Sequence, residues 1–169
     1  MSDLEPRLGG SPGTSVPGEG ALRLQARDGA DVEVLSALLQ DAIIPGADML
    51  FERNSKRFIF IANRFCWERP ALAEVSGENG EPIHERSLCG VRVEGVRQVL
   101  QQGMPSKRKM ALLNLLAITS AKGENETREI TLVFSGQASL RLIVESIDIV
   151  AEDIDEARPT TYQPRHDAE

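Results

Sequence analysis

A chain of 169 residues, 41% hydrophobic and 27% charged, has the size and make-up of one globular domain that needs no disulfide or metal staples. Its formal charge of -7 opposes the phosphate neutralisation that nucleic-acid binding requires and repels an anionic bilayer, so neither nucleic acid nor membrane is expected as a partner. Two cysteines, Cys66 and Cys89, cannot build a secreted disulfide framework, and Met1 to Pro6 carry neither a basic start nor an apolar run, so the expected compartment is the cytoplasm.

Residues 1–19 are rich in Gly and Pro, cannot bury enough apolar surface to offset chain entropy, and read as a disordered tail. A single α+β domain is expected over 20–157. It opens with Leu22-Arg23-Leu24-Gln25-Ala26, which alternates like a half-buried strand. Asp28 or Asp31 can cap a following helix carrying Val32, Leu35, Leu38 and Leu39. Ala47, Met49 and Phe51 then alternate up to Asn54-Ser55, and Phe58 to Ala62 is apolar on both faces, a hairpin whose second strand is central. Ser76 to Pro82 reads as a loop.

Cys89, Val91 and Val93 alternate again, with Gly95 marking a bulge before Val96. Lys107-Arg108-Lys109 follows Gly103-Met104-Pro105-Ser106 and reads as a solvated loop tip. Leu112 to Thr119 is a two-sided apolar strand interrupted by Asn114; Ile130, Leu132 and Phe134 alternate into a turn at Ser135-Gly136-Gln137, and Leu140, Leu142 and Val144 return. From Ser146 the spacing of Ile147, Val150 and Ile154 predicts a closing amphipathic helix, and residues 158–169 read as a flexible tail. The expected fold is therefore a mainly antiparallel sheet of about seven strands with an early helix and a C-terminal helix. That is the order of a pleckstrin-homology-like roll, apart from the early helix.

Several stretches carry a family resemblance. Leu39-Gln40-Asp41-Ala42-Ile43, Arg57-Phe58 through Asn63-Arg64-Phe65-Cys66-Trp67-Glu68, Leu112 through Ile118, Leu132-Val133-Phe134 through Leu140-Arg141-Leu142 and the closing Pro164-Arg165-His166-Asp167 resemble a bacterial family, domain of unknown function 2948. The resemblance implies a bacterial cytoplasmic protein and brings no activity, ligand or catalytic residue. It also implies a cysteine after Val144-Glu145, where this chain has Ser146, which weighs against cysteine chemistry.

No catalytic set stands out, and no cofactor or metal site is read. Cys66, His84, Cys89 and His166 lack metal-ligand spacing, both cysteines read as packed core residues, and no G-x-S-x-G or phosphate-cradling glycine loop sits between a strand and a helix. Two segments are candidate binding sites. Asn63, Arg64 and Trp67 end the most buried-looking strand and include the only tryptophan, a residue type that, like arginine, recurs at binding hot spots. The ordinary alternative is that Phe65 and Trp67 extend the core while Arg64 and Glu68 pair at the rim. Arg165 and His166, in the terminal peptide, form the second candidate. The preferred expectation is a non-catalytic protein-binding or adaptor domain. The alternative is a small-molecule-binding half-barrel, an enzyme if its dispersed carboxylates line a cavity.

Overall fold

The computed structural model describes residues 21–67, 72–76, 82–154 and 158–160. The expected N-terminal tail, and Arg165 and His166 of the terminal peptide, lie outside the described residues. The chain forms β1 (Arg23–Ala26), helix α1 (Gly29–Leu38), β2 (Ile43–Pro45), β3 (Met49–Glu52), β4 (Arg57–Phe65) and β5 (Leu72–Ser76). These are followed by β6 (Pro82–Glu94), β7 (Val96–Gln102), β8 (Leu112–Lys122), β9 (Arg128–Phe134), β10 (Ala138–Val144), β11 (Ile149–Asp153) and β12 (Arg158–Thr160).

The strands form one sheet in the order β1-β11-β6-β4-β2-β8-β9-β10-β7, with β5 and β12 also on β6 and β3 also on β4. Every pairing is antiparallel. The long β6 runs directly into β7 across Gly95, whose φ of +70° interrupts the extended backbone at no steric cost. Just beyond, Arg97 has no counterpart on β10, so this bend is also a bulge. Because β10 continues into β11, those two strands flank the same side of the β6–β7 run.

Period-two burial explains why these segments are strands. Along β4, Phe58, Phe60, Ala62 and Arg64 are buried while Ile59, Ile61 and Asn63 are only half-buried. Ile130, Leu132 and Phe134 of β9 and Ala138, Leu140, Leu142 and Val144 of β10 add to the same apolar cluster. Each fully buried Leu, Ile or Phe contributes about 1.5–3 kcal/mol relative to an exposed position. Helix α1 starts as expected: Asp28 Oδ1 accepts the Asp31 N–H at 2.9 Å, and Asp31 Oδ2 accepts the Arg27 N–H at 2.9 Å. Val32, Leu35 and Leu39 pack inward, and Ser36 Oγ accepts the Ile118 N–H of β8 at 2.9 Å, which anchors the helix across the sheet.

Three expectations are corrected. The closing helix expected from Ser146 is instead β11, where Ile149, Ala151 and Asp153 point inward and pair in register with Val93, Val91 and Cys89. A buried Asp153 hides the alternation, since an aspartate normally marks the solvent side. Among the described residues the strands number twelve, because β2, β5, β7, β11 and β12 are additional to the seven read from sequence. With the one helix of the described residues after β1, the pleckstrin-homology-like order is not matched.

Candidate functional site

At the end of β4 the sequence-predicted residues come together, on different faces. Arg64 is completely buried, and its Nε and Nη2 donate to Asp153 Oδ1 and Oδ2 at 2.9 and 2.8 Å. Asp153 Oδ2 also accepts the Leu22 N–H at 2.8 Å. The pair reaches across β6, from β4 on one side to β11 on the other, and ties β1 to them. Asn63 faces the other side of the sheet: its Oδ1 and backbone oxygen accept from Arg86 Nε and Nη2 at 3.0 and 2.9 Å. Just past the strand, Trp67 packs on Phe65 with ring centroids 4.6 Å apart, and its indole N–H donates to the Gln40 carbonyl at 2.9 Å. The Arg86 guanidinium lies 6.0 Å over the Phe65 ring. These side chains lock the strand end to the segment after α1, and the Arg64 charge faces the interior.

The thiols are equally enclosed. Cys66 and Cys89 are both buried. Burial, reinforced by the Asp153 carboxylate, pushes the Cys89 thiol up to about 12, so it stays protonated and is a poor nucleophile. His84 lies on β6 opposite Thr160 of β12.

The most exposed chemistry lies elsewhere, on the β7–β8 connection. Gly103, at φ +67°, passes so close to the β9–β10 turn that a Cβ would run into the Gln137 carbonyl oxygen. The chain then makes a single 3-10 turn, Arg108–Met110, seated on Gly46, whose N–H donates to the Ala111 carbonyl at 2.9 Å. This connection walls a cleft of about 710 Å³ lined by Gln101, Met104, Ser106, Lys107, Lys109 and Met110 among others. Met110 is 81% and Leu112 73% exposed. Lys107, Arg108 and Lys109 form no ion pair among the described residues, whereas Arg23, Lys56, Arg57, Arg92, Arg97 and Arg141 all do. Lys107, Lys109 and Met110 are thus exposed on this connection, Arg108 is half-buried against Gly46, and exposed Leu112 follows at the start of β8.

Sequence reasoning passed over this surface as a solvated tip. A usable signal was present: between Glu94 and Glu124 the chain has no acidic residue, while it carries Arg97, Lys107, Arg108, Lys109 and Lys122. In a chain with 26 acidic residues, that gap marks a local field opposite to the net charge.

No helix among the described residues is long and apolar enough to cross a membrane. Comparison with curated proteins and with solved structures finds no match. The family profile described as "Protein of unknown function (DUF2948)" matches residues 22–166, nearly the whole described domain, and the chain belongs to that family.

Proposed function

We propose that the chain is a non-catalytic, cytoplasmic protein-binding domain, and that its contact surface is the β7–β8 connection. The observation that supports this reading is the exposure of Met110 and Leu112, 81% and 73%, close in the chain to Lys107, Arg108 and Lys109, which form no ion pair among the described residues. Met and Arg are enriched in protein interfaces, and apolar side chains held outward on an ordered turn are desolvated only when a partner covers them. The strand-end residues Asn63, Arg64 and Trp67, by contrast, spend the donors and acceptors described above within the domain.

The test compares partner capture by the wild type, a Met110→Glu/Leu112→Glu variant and a Trp67→Ala variant, each of verified folded state. A captured protein is then purified and its direct binding measured. Loss of direct binding in the Met110/Leu112 variant alone supports the reading; unchanged binding in that variant refutes it. Loss in the Trp67 variant alone would return the site to the end of β4.

A second reading is favoured by the cleft itself, whose volume of about 710 Å³ falls within the range of small-molecule sites. A thermal-shift screen of anionic metabolites addresses it, because a ligand at 100 times its dissociation constant adds about 2.7 kcal/mol of stability.

A further inference from the structure

Among the described residues the edge of β7 is open. On one side β7 pairs with β10 along its length. On the other, the Val96 N–H donates to the Lys56 carbonyl at 2.8 Å, and from Arg97 to Gln102 no strand among the described residues lies alongside. An uncovered edge offers a row of backbone donors and acceptors to any extended chain, and most proteins blunt such edges with proline, inward charge or very short strands. β7 is seven residues long and contains no proline. Its bulge falls at Arg97, so Gln98 to Gln102 stays regular and opposite consecutive residues of β10. Only Arg97 is charged, and it is held by Glu145 at 3.3 Å.

The strand leads straight into the basic cleft. Gln101 lines both, and Lys107, Arg108 and Lys109 stand on the connection that follows Gly103. Because Gln101 belongs both to the strand and to the cleft lining, a chain laid along Gln98 to Gln102 in the direction of β7 would end beside that lining.

From this we propose that β7 takes an extended segment of a partner protein as an added strand, and that the partner carries acidic side chains on the part that overruns Gln102 into the cleft. The commitment to an acidic peptide comes from charge: the cleft is positive within a chain of net charge -7, so its complement is a carboxylate-bearing strand. The inference rests on the protein-binding reading above, and specifies which class of partner it recognises and how.

The probe is a fluorescein-labelled decapeptide alternating valine with threonine and ending in three glutamates, used with the full chain. Anisotropy should show binding that weakens at least tenfold with the Lys107→Glu/Lys109→Glu variant and at least tenfold with a peptide ending in three lysines. A peptide N-methylated along its Val/Thr half keeps its charge but cannot pair, and should also lose at least tenfold. Amide hydrogen exchange of residues 98–102 should slow when the unmodified probe is bound. Binding that survives N-methylation, or leaves that exchange unchanged, overturns strand addition. Binding indifferent to the lysine variants overturns the acidic preference. A concentration-dependent dimer that protects 98–102 without peptide assigns the edge to a second copy, and capture by phosphatidylserine vesicles with no peptide binding assigns the cleft to lipid; either overturns the proposal. Should every peptide fail while Met110→Glu/Leu112→Glu still abolishes capture of a protein partner, the protein-binding reading stands and this inference alone falls.

Discussion

Replacing Asp153 with alanine is expected to remove about 3–5 kcal/mol of stability, the usual cost of leaving one member of a buried ion pair without its partner. The carboxylate is 1% exposed and accepts two guanidinium bonds, at 2.9 and 2.8 Å, and a third from the Leu22 N–H at 2.8 Å. Alanine removes the two carboxylate oxygens that accept these three bonds, so the guanidinium, 0% exposed, loses this partner. At about 2–4 °C per kcal/mol for a chain of this length, the melting temperature should fall by roughly 6–20 °C. Urea unfolding followed by circular dichroism would show a lower midpoint with an unchanged slope. Asp153→Asn keeps the side-chain shape and one carbonyl acceptor, so it should lose less than alanine. Because the pair is shielded from solvent, the cost should be the same at 0.1 and 0.5 M NaCl. A loss below about 1 kcal/mol, or one that salt abolishes, would refute the view that this contact holds β4, β6, β11 and β1 together.

Three further outcomes follow from single sites. Cys89, ordinarily near 9.0 and about 12 in the fold, should make the protein less stable as pH rises. The unfolded thiol ionises first, so between those values the folded form holds one more proton and loses about 1.4 kcal/mol per pH unit; urea midpoints of Cys89→Ala should lack that component. Asp28→Ala removes the cap of α1 and should cost about 1 kcal/mol by urea unfolding, with far-UV helicity reduced in the native baseline. Gly46→Ala drives a Cβ into the Arg108 carbonyl oxygen, so the 108–110 turn must shift; a cost of about 1–3 kcal/mol is expected. The same variant should change amide exchange around Lys107 to Met110 while leaving β9 and β10 as they were.

What the residues revealed in advance follows from how far each signal extends along the chain. Asp28 with Val32, Leu35 and Leu39 announces α1 because cap and periodicity lie within one segment. The β3–β4 and β9–β10 hairpins are legible for the same reason: alternating residues flank a polar turn at Asn54-Ser55 and at Ser135-Gln137. β11 was hidden because Asp153 is buried by a partner 89 positions earlier, and no local pattern contains Arg64. β2 is three residues long and ends in Pro45, too short to show alternation. β7 was masked by the bulge at Arg97, which resets the period. At the strand end Asn63, Arg64 and Trp67 stand out by residue type, but their hydrogen-bond partners, Arg86, Asp153 and Gln40, lie far away in sequence. Whether an arginine faces a partner or the core depends on those distant groups.

The placement of β1 against β11 has a consequence during synthesis. Arg23 sits opposite Glu152, and its Nη2 reaches Glu152 Oε2 at 2.6 Å, so β1 meets a neighbour made 129 positions later. At about 5–20 residues per second, a ribosome would take roughly 6–25 s to deliver the intervening chain. Throughout that interval β1 would be unprotected, and so, from its own synthesis onward, would the flank of β6 that receives β11. A nascent chain stalled before residue 149 should therefore engage holding chaperones, and release them once β11 emerges.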